Sequence, residues 1–414
     1  MTDKTIQSHN NDDGNHTLKR QLTLPLLTLY GLGVTVGAGI YVLVGTTAAK
    51  AGFYAPVSFL LAAIVVAFTG LSYSEFGTRY PVSAGEAAYV KNGLNSRRLA
   101  LLVGLMVALS GVVSSAVISI GAVAYVGNFI PWSPTVLTIL LILLVGIISA
   151  WGILESVILA ALFTLVEIGG LVFVIYYGFT LKPDLLSEIG RLVPPFELSA
   201  WTGIVSAGLL AFFAFVGFED IANVAEEVKN PRKTLPKAIL FTLVIATMLY
   251  LAVVSVVILV VPMDQLKTSA APLALVFKNA SVTTQGAFFI IAIVATLNGV
   301  LIQMIMASRV LYGLASQGSL PKSLSYIHPV TRTPLMATAL VVGIILTLAL
   351  FLPITELAEV TSRIVLIVFM FVNLALLRLK LSNKPTPENI FRVYTWVPAV
   401  GFLSSLLLLL TGFL

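Results

Sequence analysis

The residues best suited to chemistry in this chain are glycine clusters and carboxylates that lie inside apolar stretches. Gly37 and Gly39 flank Ala38 in the middle of the first stretch, and Thr35 lies just before them. Glycine costs about 1 kcal/mol against alanine in a helix interior. In lipid, a broken helix is tolerated only where protein, water or a ligand satisfies the freed backbone groups. This cluster is therefore either a close-packing seam between helices or the unwound segment of a binding site.

The sixth apolar stretch carries a second interruption. Aromatic residues crowd Gly217 in the run AFFAFVGFED, and Glu219 and Asp220 follow directly. Carboxylates at this depth cost about 2.5–3.5 kcal/mol each, so they are expected to face protein or water. Interrupted segments at corresponding positions of two halves are the best sequence indication of a transporter's midplane site. Taken together, the two clusters favour a binding site.

The composition defines the class of protein. Hydrophobic residues make up 58% of the 414 residues and charged residues only 10%, whereas a soluble domain carries about 25% charged residues. Eleven apolar stretches are long enough to cross about 30 Å of hydrocarbon. The segment 266–280 is amphipathic instead, and it predicts a helix that lies over an outer vestibule. The sequence predicts an all-α polytopic membrane protein of eleven transmembrane helices, with the first and sixth discontinuous. Lys and Arg concentrate in alternate loops, which predicts a cell-membrane protein with a cytoplasmic N-terminus.

The eleven predicted spans divide into two halves of five and one extra span. Because five is odd, the second half enters the membrane upside down relative to the first, which makes an inverted repeat. The predicted divisions are a disordered cytoplasmic tail (1–22), a first repeat (23–180), a second repeat (200–380) and an additional span (392–414).

Several sequence blocks resemble one family of membrane transporters. The run GVTVGAGIYVLVGTTAAKAGFYAPVSF, followed by LSYSEFGTRYPVSAGEAAYV, resembles the first two spans of the amino acid–polyamine–organocation superfamily. FFAFVGFEDIANVAEEVKNPRKTLPKAI resembles its sixth span and following loop, and ASRVLYGLASQGSLP resembles the end of its eighth. The nearest members are permeases of the cationic-amino-acid-transporter type. Many relatives have at least twelve spans, however, and SAGEAAYVKNGL departs from their usual pattern.

The resemblance implies a leucine-transporter-type fold, alternating access and an amino acid substrate. A half-helix end with free N–H groups suits the substrate carboxylate. The carboxylate-binding residues implied are Thr35, Gly37, Ala38, Gly39 and Ile40. The ammonium is expected to meet freed carbonyl groups near Phe212, Phe213 and Phe215. Phe213 takes the position at which relatives place an aromatic gate.

Glu167 is the leading candidate for coupling transport to an ion. It lies halfway along the predicted fifth span, in an otherwise apolar run. Some proton-coupled relatives carry a lysine at the matching position. Three hypotheses stay open: Glu167 carries a proton, it helps to ligate sodium, or it pairs with Arg363 or Arg309. Glu219 is a second candidate proton relay.

Other charged residues are assigned structural roles. Glu75 is expected to pair with Arg79 at the inner end of the second span, and Asp220 to pair or cap. No cofactor and no metal site are expected, since the chain has no cysteine and its three histidines lie outside the predicted spans.

The predicted function is transport. Amino acid transport by proton-coupled symport is the first hypothesis, and an amino acid or polyamine exchanger is the alternative. A non-transporting membrane sensor or subunit is the alternative of another class. No catalytic set indicates an enzyme, and no filter typical of a channel is seen. The expected partners are the lipid bilayer and a small amino acid, neutral or cationic, with neither nucleic acid nor an obligate protein partner.

Overall fold

The computed structural model describes residues 20, 22–37, 39–82, 85–151, 157–316, 318–331, 333–382 and 389–412. In these ranges the regular structure is helical, apart from one isolated parallel bridge between Leu22 and Val228. The predicted all-α class is confirmed.

The helices follow one another with short connections. In chain order they are α1 (Leu24–Val36), α2 (Gly39–Ala51), α3 (Ala55–Arg79), α4 (Gly85–Leu94), α5 (Arg97–Val126), α6 (Pro134–Trp151), α7 (Val157–Leu181), α8 (Leu198–Phe213), α9 (Pro231–Val260), α10 (Met263–Thr268), α11 (Val282–Ser316), α12 (Leu335–Phe351), α13 (Ile354–Leu381) and α14 (Trp396–Thr411). Short 3-10 helices lie between them, of which Phe218–Glu227 and Pro272–Phe277 matter below.

The helices are long and apolar enough for a membrane protein. Among the described residues, eight helical stretches reach the length and composition needed to cross a bilayer, and one of them, Gly39–Arg79, joins α2 to α3. Three further apolar helices are shorter: Leu24–Val36, Leu335–Phe351 and Trp396–Thr411. The fold is thus a multi-pass helical bundle, while the count of eleven and the five-and-five repeat stay predictions.

Both predicted interruptions are present as breaks in helices. α1 ends at Val36 and α2 begins at Gly39, whereas α8 ends at Phe213 and a 3-10 helix begins at Phe218. Gly217 has a φ of +117°, a conformation that glycine adopts without steric penalty. A Cβ on Gly217 would lie only 2.7 Å from the Val34 side chain, and one on Gly39 only 2.4 Å from the Cα of Ala214. The two breaks therefore touch each other, and glycine permits the contact.

The N-terminal end of α1 is tied to the segment after the second break. The Leu22 amide donates to the carbonyl of Glu227 at 3.0 Å, and the Lys229 amide donates to the carbonyl of Leu22 at 2.9 Å. Leu22 is also buried. Leu22, the last residue of the predicted tail, thus takes backbone partners from a loop distant in sequence.

The predicted amphipathic helix over residues 266–280 is two short helices instead. α10 ends at Thr268, and a 3-10 helix covers Pro272–Phe277. Pro272 begins the second piece, and proline has no N–H to continue a helix. Both pieces pack against α2, where a Cβ on Gly45 would lie 2.6 Å from the carbonyl oxygen of Leu266.

Candidate functional site

The break in the first span is lined by buried backbone. Thr35, Gly37, Gly39 and Ile40 are all buried, whereas the predicted site residue Ala38 lies outside the described residues. The Thr35 hydroxyl donates to the carbonyl of Gly31 at 2.7 Å, so its side chain bonds to its own helix. What Thr35 presents to the site is its backbone carbonyl.

The break in the sixth span is packed with aromatic rings. Phe212 meets Phe369 edge to face at 5.7 Å between centroids, and Phe215 meets Tyr250 in the same way at 5.0 Å. Phe213 is buried at the end of α8. Its role as a gate stays a prediction.

Tyr250 joins the two breaks, and it is not among the predicted site residues. Its hydroxyl lies 2.8 Å from the carbonyl oxygen of Thr35 and 2.8 Å from that of Ala214. These two carbonyls belong to the first and the sixth span. The available signal was a tyrosine in the middle of the apolar helix α9, although its position in the sequence does not reveal its partners.

Glu167 lies beside the first break. A Cβ on Gly37 would lie 3.5 Å from Glu167 Oε1 and 3.3 Å from the carbonyl oxygen of Ala295. Asn298 on α11 donates to Glu167 Oε1 at 2.7 Å. Glu167 is fully buried, and its Oε2 has no hydrogen-bond partner among the described residues. The candidate coupling residue and the first break thus lie next to each other.

Two tyrosines fix the backbone around Glu167. Tyr41 on α2 donates its hydroxyl to the carbonyl of Glu167 at 2.7 Å, and Tyr125 on α5 donates to the carbonyl of Tyr41 at 2.6 Å. All three residues are buried. This chain of hydrogen bonds connects α5, α2 and α7, so it holds Glu167 in a defined place relative to the break.

Neither arginine proposed as a partner of Glu167 pairs with it. Arg363 on α13 bonds to Glu359 Oε2 at 3.1 Å and to the carbonyl of Gly412 at 2.8 Å. Arg309 is exposed on α11. The predicted ion pair of Glu167 with either arginine is therefore wrong, since an amide from Asn298 takes that place.

Glu75 lies in a buried ion-pair network at one end of α3. Its Oε1 is 2.6 Å from Arg79 Nη2, and its Oε2 is 2.8 Å from Lys380 Nζ on α13. The amide of Val393 also donates to Oε2 at 2.8 Å. Glu75 thus ties α3 both to α13 and to the segment before α14. Lys380 and Val393 were not among the predicted partners.

Three further carboxyl groups surround a small cavity next to the second break. The cavity of about 10 Å³ is lined in part by Glu86, Glu219, Asp220, Ser110 and Gln303, and it offers space for roughly one water molecule. Glu219 Oε2 accepts from the amide of Gly217 at 2.9 Å. Asp220 accepts from Gln303 at 3.4 Å and from Asn223 at 3.5 Å. Its partners are amides, so the predicted ion pair for Asp220 is not the arrangement found.

Glu86 lies on α4, between two spans, and was not predicted as a site residue. Burial, with a smaller contribution from the charge of Asp220, raises the pKa of its carboxyl group from 4.5 to about 8. The hydroxyl of Tyr73 lies 3.4 Å from its Oε1. The departure of this loop from the usual pattern was the signal in the sequence.

The helical bundle with two touching breaks has a fold that is found in membrane transporters. Solved structures of the manganese transporter of Eremococcus coleocola share this fold. The structure of a point mutant of that transporter aligns with a TM-score of 0.67 at 14% sequence identity, over 97% of this chain and 89% of that one. At this identity the likeness shows the fold alone.

The chain belongs to the amino acid permease family, whose family model matches residues 23–414. It is 29% identical over 398 residues to the branched-chain amino acid permease BcaP of Bacillus subtilis, covering 91% of this chain and 84% of the relative. It is 31% identical over 395 residues to the vacuolar cationic amino acid transporter 4 of Arabidopsis thaliana, covering 89% of this chain. The chain spans 64% of the length of that plant relative. The family and these relatives are transporters of amino acids and not enzymes.

Proposed function

We propose that this protein is a secondary active transporter that moves amino acids by alternating access, coupled to proton symport. We further propose eleven spans arranged as a five-and-five inverted repeat plus one, in the cell membrane, with the N-terminus in the cytoplasm. The observation that carries the proposal is the position of Glu167: its Oε1 lies beside the broken first span, and its Oε2 is buried with no hydrogen-bond partner among the described residues.

The substrate's two charged groups would bind at the two breaks. The N–H groups of Gly39 and Ile40 begin α2, and N–H groups at a helix start have no partner within the helix. The positive end of the helix dipole adds to their attraction for a carboxylate. The ammonium would meet carbonyl oxygens around Phe213 and Phe215, where α8 has ended. This arrangement would recognise the carboxylate and the ammonium, which all α-amino acids share.

Coupling follows from the electrostatics of Glu167. A buried carboxyl without a cation beside it needs a proton or a metal cation to neutralise it. Because Glu167 lies next to Gly37, its charge acts directly on the segment proposed to hold the substrate carboxylate. Protonation would remove the repulsion between these two anions, so proton and substrate would bind together. Release of one would then favour release of the other.

Sodium is the second candidate for the coupling ion. The carbonyl oxygens of Gly33 and Ala295 lie within 3.3 Å of the point where a Cβ of Gly37 would be, and Glu167 Oε1 is 3.5 Å from it. Oxygen atoms of this kind also suit a small hard cation. The ion gradients in the experiment below separate the two.

The test is uptake by purified protein in liposomes under an imposed proton or sodium gradient. A thermal-shift screen of twenty amino acids and common polyamines first identifies the substrate. We expect a proton gradient alone to drive accumulation. Glu167→Gln should abolish this accumulation while exchange of internal for external substrate continues.

Glu197→Gln removes an exposed glutamate and is the matched control. It should accumulate substrate as wild type does. Unchanged proton-driven accumulation by Glu167→Gln would refute the role of Glu167. Accumulation driven only by a sodium gradient would identify sodium, and not the proton, as the coupling ion. Exchange without accumulation under either gradient would favour an exchanger. Substrate binding without any flux would favour a sensor.

A further inference from the structure

Tyr250 contacts both breaks at the same point. It is fully buried on α9. Its ring is held by two edge-to-face contacts, one with Phe215 at 5.0 Å and one with Phe59 on α3 at 6.1 Å. Rings packed from two sides have little freedom to turn, so the direction of the hydroxyl is fixed by α3 and by the second break.

The two carbonyls that Tyr250 contacts lie at helix ends. Thr35 is in the last turn of α1, and Ala214 follows directly after α8. The last carbonyl groups of a helix have no partner within it, so they need a donor from elsewhere. The hydroxyl of Tyr250 is that donor for one carbonyl of each broken span, at 2.8 Å in both cases.

The hydroxyl of Tyr250 has too few hydrogen atoms to satisfy both carbonyl groups. A phenol carries one hydrogen to donate, and a carbonyl oxygen carries none. Two carbonyl oxygens at the same distance from one hydroxyl therefore share a single hydrogen. A ligand that brings further N–H groups to this point would satisfy the carbonyl that the hydroxyl leaves, and an ammonium group brings three.

We propose that Tyr250 is a positioning residue for the substrate's ammonium group: its hydroxyl holds the freed carbonyls of Thr35 and Ala214 together so that an ammonium can bind between the two broken spans. This inference rests on the proposed amino acid transport. It assigns a role in recognition to α9, which contributes none of the predicted site residues. It also implies that the two breaks move as one unit during transport.

Tyr250→Phe is the first test, with Ser58→Ala as its control. Both changes remove one buried hydroxyl that donates to a backbone carbonyl, but the partner of Ser58 is the carbonyl of Ile204, which lies inside the helix α8 and away from both breaks. Without the hydroxyl of Tyr250 the two freed carbonyls are no longer held together, so we expect the KM for uptake to rise roughly tenfold or more in Tyr250→Phe, with the maximal rate within about threefold. Ser58→Ala should lower thermal stability to a similar degree while its KM stays within about twofold of wild type.

Hydrogen exchange gives a readout that does not depend on transport. Tyr250→Phe should speed exchange at the amides around both breaks, at 34–37 and 214–217, whereas Ser58→Ala should leave both segments protected. Phe59→Leu keeps the hydroxyl but loosens the ring. Phe59→Leu should raise the KM in the same direction as Tyr250→Phe but by less. If Tyr250→Phe does not fold, the KM of Phe59→Leu tests the role of Tyr250.

The experiments distinguish a failure of the proposed function from a failure of the role of Tyr250. A wild-type protein that neither takes up nor is stabilised by any amino acid overturns the proposed function and this inference with it. A wild type that transports, beside a Tyr250→Phe or Phe59→Leu variant with unchanged KM, overturns only the role of Tyr250. An equal rise of KM in Tyr250→Phe and Ser58→Ala shows a purely structural effect, and also overturns the role of Tyr250.

Discussion

Replacing Glu86 by glutamine should change how the stability of this protein depends on pH. The side chain of Glu86 is only 2% exposed, and burial raises the pKa of its carboxyl group to about 8. In the unfolded chain the pKa returns to an ordinary value of about 4.3. The folded protein therefore binds a proton here that the unfolded chain has already released.

The sign and size of the effect follow from this difference. Stability is fully present below the unfolded pKa and falls as pH rises toward the folded pKa of about 8. Each pH unit of difference is worth about 1.4 kcal/mol, so ionising Glu86 costs the folded state up to about 5 kcal/mol. Glutamine keeps the shape of the neutral acid and cannot ionise, so the variant should lose this dependence.

The measurement is the midpoint of thermal unfolding in detergent, from about pH 5 to about pH 9. We expect wild type and Glu86→Gln to have similar midpoints at the acidic end. The variant should gain steadily over wild type as pH rises, with the difference levelling off above the folded pKa. Glu197→Gln is the control, and its curve should run parallel to that of wild type because an exposed side chain stays in water on folding. Parallel curves for Glu86→Gln would refute the reasoning.

Two further predictions concern the breaks and the ion pairs. Gly217→Ala should cost at least about 1–3 kcal/mol, because φ is +117° and the new Cβ would meet Val34 at 2.7 Å. Gly286→Ala, where a Cβ meets nothing within 4 Å, should be neutral or stabilising. Equal thermal midpoints for Gly217→Ala and Gly286→Ala would contradict this account. Glu75→Gln should cost about 3–5 kcal/mol, because it leaves two largely buried cations without their anion. Glu359→Gln, in a more exposed network, should cost about 1 kcal/mol or less, and the opposite order in urea or heat unfolding would contradict the argument.

The broken spans could be predicted because their signals are local. Glycines and carboxylates inside apolar runs are visible in the sequence, and a bilayer penalises both unless they have a purpose. The structure places breaks at Val36–Gly39 and after Phe213, as predicted. The prediction of a single helix over 266–280 is wrong for a local reason too, because Pro272 interrupts this segment.

The partners of the polar groups at the breaks could not be predicted. Arg363 and Arg309 were proposed for Glu167 because opposite charges attract, yet Glu167 accepts from the amide of Asn298. Tyr250 is not among the predicted site residues, although its hydroxyl contacts both breaks. Such a pairing depends on distances between helices, and hydropathy reports only depth in the membrane.

The sequence by itself determined that this is a helical membrane protein of the amino acid permease family, with two spans that break at glycines. These are properties of short segments, since apolar length, residue type and motif are all read along the chain. Only the tertiary structure decided which groups meet at the breaks: Glu167 bonds to a residue 131 positions away, and Tyr250 to one 215 positions away. The physical reason is that a hydrogen bond acts over about 3 Å, and the packing of whole helices sets which atoms come that close.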